Sequence, residues 1–455
     1  IGQREACLEV LPLNDSGKIV TGNALRLDWL EVCPPPEKPG AVEEDLGGPT
    51  GRMALDAKEP EVETYICGNP PYKGNSQQTH AQKEDMHKAV AQTVTGWKTL
   101  DYICGWFLKA LNYAVRVTSK VAFVSTNSVC QGQQVSALWP NIFGSDFEIF
   151  FAHTSFKWKN LAKHNAGVTV VVIGLSKRSA ADKRLFSLDE NDQTPIVRTV
   201  AHINGYLVPA RNVVVQKRAK TPSDRAEMLR GNMPYDGGNL LLSPYELEQL
   251  HLSSKQRALF IKRIFGSQEF IRGQERYCIW IEDNKLPEAK ATADFSRRIE
   301  QVREMRTASP DAGANAIADA AHRFREMNCA SSHTLAMPRV SSENRYYLPI
   351  GLLPQGAVIT DLNFGLYDAP LWNMALIASK LHLVWIATVC GKMKTDFRYS
   401  NTLGWNTFPV PPLTENQKAD LTRCAEDILL AREHYWPATI ADMYDPERMD
   451  KEFPL

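Results

Sequence analysis

The clearest signal along the chain is a series of short apolar runs separated by polar, helix-periodic stretches. KVAFVSTNS (120–128), FEIFFAHTSF (147–156) and GVTVVVIGL (167–175) read as buried strands. VETYIC (62–67) is a fourth, and GKIVTGNAL (17–25) is strand-like ahead of RLDWLEV. Between them, LDYICGWFLKALNYAV (100–115) spaces Tyr102, Trp106, Leu108, Ala110 and Tyr113 as an amphipathic helix would. Strand and helix in alternation predict an α/β layer with a mainly parallel sheet. CPPPEKPGAVEEDLGGPTGR (33–52), rich in Pro, Gly and acid, reads as a solvated loop.

The pattern changes after about residue 178. Residues 176–235 are basic with few periodic elements, and 285–327 turn helical, with Ala, Glu and Arg prominent. Strands and turns return over 338–365, followed by one apolar helix over about 370–389. LTENQKADLTRCAEDILLARE (413–433) is the clearest helix. Thr414 and Gln417 make a capping box, and Leu421, Cys424, Ala425 and Ile428 share a face. No internal repeat is visible. The expected organisation is an α/β domain over 1–178, a mixed α+β domain over 179–410 and a helical segment over 411–455.

Composition narrows the class only a little. A chain of 455 residues with 44% hydrophobic and 23% charged side chains is ordinary globular material. Fifty-two basic and fifty-two acidic residues cancel, so only local charge can point to a partner. The nine cysteines include no CxxC pair and no Cys/His cluster with zinc-ligand spacing, so no metal is expected. Their scatter fits reduced thiols in a cytoplasm. No signal peptide or bilayer-length apolar run is evident. LVWIATVC (383–390) is too short and reads as the end of a buried helix.

The chemistry concentrates in ETYICGNPPYKGN (63–75). Prolines cannot donate to a strand ladder and fix their own torsion, so Pro70 and Pro71 stop the strand and stiffen the turn at its end. An Asn and a Tyr beside a rigid diproline suit the grip of a flat polar group. An exocyclic nucleobase amine is a poor nucleophile, because its lone pair is delocalised into the ring. Two acceptors aimed at its hydrogens, the Asn69 side-chain carbonyl and the Pro70 backbone carbonyl, would stabilise the charge that builds on nitrogen as a methyl arrives. Tyr72 offers a stacking face, worth roughly 1–3 kcal/mol per base, to a base flipped from its duplex. The blander alternative is a capped turn with a buried Tyr.

Asn69-Pro70-Pro71-Tyr72 after a strand resembles the catalytic motif of amino-group methyltransferases that use S-adenosylmethionine. The order of segments is similar to the gamma class of DNA adenine-N6 methyltransferases. TGNALRLDW (21–29), VAFVSTNS and SFKWKNLAKHNAGVTVVVIGL (155–175) resemble further stretches of that class. NALRLDW, VSTNS, RVSSENRYYLPIG and KTDFRYSNTLGWNTFPVPPL resemble, more narrowly, the MmeI-like restriction–modification family. The resemblance implies a partial Rossmann-like, S-adenosylmethionine-dependent methyltransferase domain followed by a DNA target-recognition domain. It implies catalytic roles for Asn69, Pro70, Pro71 and Tyr72, and cofactor contacts from Asn23 and Asn69. It gives the second stacking aromatic to Phe156, with Trp158 as rival. The family's glycine-rich cofactor loop has no match in residues 1–68. The expectation is therefore that this chain is the C-terminal part of a longer protein, inactive alone, with the cofactor loop and any nuclease before Ile1. Implied partners are double-stranded DNA and an upstream part or a nuclease or helicase subunit, with no membrane.

DNA recognition needs basic groups for phosphates and forked or amide side chains for base edges. The candidates cluster after the catalytic domain: Lys217, Arg218 and Lys220; Lys255, Arg257, Lys262, Arg263, Arg272 and Arg276; Arg339 and Arg345; Lys392, Lys394 and Arg398. Tyr346, Tyr347, Phe397 and Tyr399 interleave aromatics with them, and Tyr399 joins the candidate set. His153 and His164 receive no role. Competing readings are a cytosine-N4 or protein-glutamine methyltransferase and a DNA-binding module without catalysis. A cytosine-N4 enzyme usually has Ser in place of Asn69, and glutamine methyltransferases need no domain of this length after the catalytic fold.

Overall fold

A computed structural model describes residues 19–35, 64–158, 168–189, 194–222 and 224–454. The chain divides into two compact units, Ile1–Val214 and Val215–Leu455.

The first unit is built on a six-stranded sheet. Its strands are β1 (Thr64–Gly68), β2 (Ser119–Thr126), β3 (Phe147–Lys157), β4 (Thr169–Lys177), β5 (Lys183–Leu188) and β6 (Pro195–Val200), in the order β1-β2-β4-β3-β5-β6. The sheet is not mainly parallel. Only β1–β2 and β3–β5 pair in parallel, and the other three pairings are antiparallel. The segment between Lys157 and Thr169 is too short for the crossover that a parallel pair requires. β4 therefore runs back beside β3 and slots between β3 and β2, which point the same way.

Ser119, Val121, Phe123 and Ser125 alternate on the buried face of β2. That face packs on a core containing Phe107, Leu138, Trp139, Ile149 and Ile173. The helix Cys104–Ala114 is buried nearly all round rather than amphipathic; Lys109 and Asn112 alone escape. Residues 19–28 hold turns, not the strand expected there, with Asn23 O accepting from the Arg26 and Leu27 amides. The start of that expected strand, and most of the loop expected over 33–52, lie outside the described residues.

Strands β5 and β6 move the expected division at 178/179 to Val214/Val215. The 183–200 stretch falls within the segment whose many basic residues looked like a change of character, yet it extends the same sheet. Lys183 shows how a charge is accommodated there: it is buried and pairs with Glu148 at 2.8 Å.

The second unit holds three smaller sheets. The first comprises β8 (Leu241–Leu242), β9 (Ile261–Phe265), β10 (Tyr277–Ile279) and β14 (Val358–Ile359). The second comprises β7 (Leu229–Arg230), β11 (His333–Pro338), β13 (Gly351–Pro354) and β15 (Asn363–Tyr367). The third comprises β12 (Val340–Ser341), β16 (Gly391–Met393) and β17 (Asp396–Arg398).

The helix Ala293–Ala308 carries Arg306 into this unit with no exposure to solvent. Its guanidinium donates to five backbone carbonyls, those of Pro234, Tyr235, Ile317, Ala320 and Arg323. Gly231 passes so close to β14 that a Cβ on it would sit 2.2 Å from Thr360 O.

The apolar run 370–389 is two helices, Trp372–Ala378 and Lys380–Val389, bent by 59°. Ser379 makes the break: extended, it caps the second helix by accepting from the His382 amide. Among the described residues no single helix is long and apolar enough to cross a membrane. The C-terminal helix Glu415–His434 has the expected capping box between Thr414 and Gln417. It belongs to the second unit rather than standing apart, since Arg432 Nη1 donates to Ile350 O at 2.7 Å. Leu421, Cys424 and Ile428 line an apolar cavity of about 460 Å³, while Ala425 is fully buried.

Candidate active site and nucleic-acid interface

The NPPY turn leaves the carboxyl end of β1. Beside it, β2 ends at Ser125-Thr126 and leads into the helical turn Asn127–Cys130, and the β1–β2 pairing is parallel, with Gly68 opposite Phe123. In open α/β sheets the carboxyl ends of strands are where ligands bind. Pro70 is buried, Tyr72 is half-buried against the core, and Asn69 and Pro71 are exposed. Burial raises the pKa of the Tyr72 phenol, which donates a hydrogen bond to Asn69 Oδ1.

A cavity of about 650 Å³ opens at the same place. Val20, Ala24, Trp29, Trp106 and Tyr113 line it with Asn69 and the length of β1. This is the size and mixed character of a small-molecule site.

Asn23 does not line it. Its amide donates to Asp85 Oδ2 at 3.0 Å and Tyr102 Oη at 3.2 Å, and its carbonyl accepts from the Leu25 amide at 3.0 Å. Asp85 also receives Arg26 Nε at 2.7 Å. Burial pushes the Asp85 carboxyl up, but the bonds from Arg26, Tyr102 and Asn23 outweigh it and hold the group below its ordinary value. Asn23 thus fastens the 23–28 turn to the helices behind it. Trp29 and Trp106 reach the cavity instead; in the sequence pattern Trp106 marks only a helix position.

β3 runs the same way as β2, so its carboxyl end points the same way. A β-bulge between His153 and Phe156 re-aims the strand there. Phe156 packs at 4.5 Å from His153 and 6.4 Å from Trp158, and Trp158 is the more exposed of the two candidate aromatics.

The structure sorts the basic candidates. Tyr399 is 3% exposed and bonded to His382 Nε2 at 2.8 Å, so it is a core residue and not a DNA contact. Lys255, Arg257, Arg276, Arg339 and Lys392 pair with Glu288, Glu248, Glu269, Asp361 and Glu343. Lys262 lies over Trp280 and Arg263 over Phe265. Burial lowers the pKa of Arg345, whose Nη1 donates to Ser341 Oγ. Lys217, Arg218, Lys220, Arg272, Lys394 and Arg398 are exposed, with no ion pair among the described residues.

The third sheet joins two of the sequence clusters. Val340 and Ser341 pair with Arg398 and Phe397, and Lys394 sits in the turn between β16 and β17. Asn406 Nδ2 donates to the carbonyls of Arg218 and Ala219, anchoring the backbone of the 217–220 cluster. Arg230, missed in the sequence, joins Arg339 at Asp361. Among the described residues no group of His, Cys, Asp or Glu could hold a metal.

A strand-ended NPPY turn on an α/β sheet, followed by a mixed unit carrying an exposed basic hairpin, defines a methyltransferase-type domain joined to a recognition-type domain. Residues 1–187 match the family described as MmeI, DNA-methyltransferase domain, and residues 209–412 match MmeI, target recognition domain. The chain belongs to the MmeI-like restriction–modification family. It is 36% identical over 442 residues to DNA methyltransferase A of Bacillus subtilis (strain 168), a match covering 97% of this chain and 47% of that protein. It is also similar to the solved structure of the type IIL restriction–modification enzyme MmeI in complex with DNA. That match has 30% identity and a TM-score of 0.81, and covers 95% of this chain and 54% of the other. The chain thus spans about half the length of these relatives.

Proposed function

We propose that this chain carries the catalytic turn and the target-recognition unit of a DNA adenine-N6 methyltransferase from a restriction–modification system. The observation that carries the reading is the NPPY turn at the carboxyl end of β1, beside a cavity of about 650 Å³. In this reading Asn69 Oδ1 and Pro70 O accept the two hydrogens of the target amine. A carboxamide oxygen has two lone pairs, so Asn69 can accept from the amine and from Tyr72 together. Tyr72 stacks on the flipped base, and Phe156 or Trp158 supplies the opposing face. The cavity fits S-adenosylmethionine by its aromatic walls and its contact with Asn69, and Trp29, Trp106 and Tyr113 would hold it. That cofactor supplies the methyl group. Residues 1–214 act in this reading as the C-terminal part of the catalytic domain. The exposed Lys217, Arg218, Lys220, Arg272, Lys394 and Arg398 contact double-stranded DNA. The chain alone is proposed to be incomplete, and its relatives' greater length supports that view.

The test is to express the natural gene encoding this chain in a host without DNA methylation and quantify modified nucleosides by mass spectrometry. N6-methyladenine that vanishes in Asn69→Ala is the expected result. N4-methylcytosine would keep the mechanism and change the base. No modified base from a folded protein would sink the reading.

A further inference from the structure

The segment leaving the catalytic turn, Lys73-Gly74-Asn75, is held by a cluster that the proposed chemistry does not use. We infer that Asp101 is a positioning residue. Its buried carboxylate fixes the path of residues 73–75 and so aims Asn69 and Tyr72; the inference rests on the methyltransferase reading above.

Asp101 is 9% exposed and stands just before the helix Cys104–Ala114. Ser128 Oγ, from the helical turn that follows β2, donates to its Oδ2. Gln134 Nε2, from the helix Gly132–Gly144, reaches Oδ1 at 3.4 Å. The Asn75 backbone amide faces the same carboxylate closely enough to favour its charged form. Gly74 lies against it as well, since a Cβ there would come 3.7 Å from Oδ1.

Backbone bonds reinforce the junction. The Tyr102 amide donates to Lys73 O at 2.9 Å. Gln78 Nε2 bridges Lys73 O at 3.3 Å and Leu100 O at 3.0 Å. The Asp101 amide donates to Gln134 Oε1 at 3.0 Å. Residues 73–78, 99–102 and 128–134 thus meet around Asp101, whose carboxylate takes the bonds from Ser128 and Gln134.

No lysine or arginine pairs with Asp101 among the described residues, and burial raises its pKa against the pull of Ser128 and Asn75. A buried anion without a cation is costly for stability alone. Its geometry points to its role: it takes donors from Ser128 and Gln134, past the end of β2, and packs against Gly74 at the exit of the catalytic turn. β1 fixes where the turn begins, and Asp101 fixes where it goes next. A displacement of about 1 Å at a reacting group can cost roughly 100-fold in rate.

The test uses the natural full-length protein with Asp101→Ala, Asp101→Asn and Ser128→Ala. Single-turnover methyl transfer at saturating DNA and S-adenosylmethionine is measured with the Kd of each and with amide exchange of residues 69–78. Asp101→Ala is expected to slow transfer by about tenfold or more while both Kd values stay within about threefold. Exchange at 73–75 should quicken, and Asp101→Asn, which keeps one acceptor oxygen, should recover part of both losses. Unchanged exchange in a folded Asp101→Ala protein would overturn the inference, as would a loss of binding that accounts for the whole loss of rate. If the unaltered protein transfers no methyl group, the methyltransferase reading fails, and the exchange measurement still decides whether Asp101 holds the turn. Should Asp101→Ala not fold, Ser128→Ala carries the same readouts with one donor removed.

Discussion

Tyr72 donates its phenolic hydrogen to Oδ1 of Asn69, three residues earlier in the same turn. One member of the motif thus occupies the acceptor that the other is proposed to offer to substrate. The bond holds the Asn69 amide in a fixed orientation before any base arrives, a form of preorganisation. Tyr72→Phe keeps the aromatic face and loses this bond. Methyl transfer should fall modestly, by about tenfold or less. Tyr72→Ala also removes the stacking face and should cost roughly a further 1–3 kcal/mol in binding of the flipped base. Single-turnover rates and DNA titrations on the two variants separate the effects.

The exposed hairpin residues make a prediction about salt. Lys394 and Arg398 sit on β16–β17 and its turn. If each contacts a phosphate, Lys394→Ala and Arg398→Ala will each reduce the slope of log K against log salt by about one. Tyr399→Phe should leave that slope unchanged and lower stability instead, because its hydroxyl is bonded to buried His382. Fluorescence titrations at several salt concentrations check both statements.

His382 sets an acid limit on the second unit. It is fully buried, and burial lowers its pKa to about 3. The folded state therefore holds it neutral, while an unfolded chain protonates it near the ordinary value of about 6.5. Its contribution is fully present above that value and is lost as pH falls toward 3, on the order of 5 kcal/mol in total. Denaturant unfolding measured between neutral pH and pH 4 should show this loss. His382→Gln should be less stable at neutral pH and show a shallower acid dependence.

Gly231→Ala tests packing without touching the site. The added methyl would meet the Thr360 carbonyl, a backbone atom that cannot swing aside. Overpacking of this kind typically costs about 1–3 kcal/mol, read as a lower denaturant midpoint at unchanged m-value.

Much of the first unit was legible because apolar runs of strand length mark β2, β3 and β4, and the diproline marks where β1 stops. The capping box likewise gave the C-terminal helix. Three features escaped, each for a physical reason. Strand order depends on pairing, and nothing local announces that β4 lies between β2 and β3. Strands β5 and β6 were hidden by their charge, since a basic stretch reads as surface until Lys183 is seen paired inside. Ser379 looked like one polar residue in an apolar helix, and only its bond to the His382 amide shows it to be a cap. At the site, the NPPY turn was plain, whereas Asp101 was invisible because its partners come from three separate segments. Tyr399 has the right residue type but is buried and bonded to His382, and Asn23 makes internal hydrogen bonds to Asp85 and Tyr102 that its sequence position does not announce.

Arg306 ties the life of its helix to that of two distant loops. Five carbonyls from residues 234–235 and 317–323 end on one guanidinium. None of these segments can detach alone without stranding acceptors and a buried cation, so they should open together or not at all. The amides of this region would then exchange as one cooperative block, slow beside those of the exposed basic hairpin.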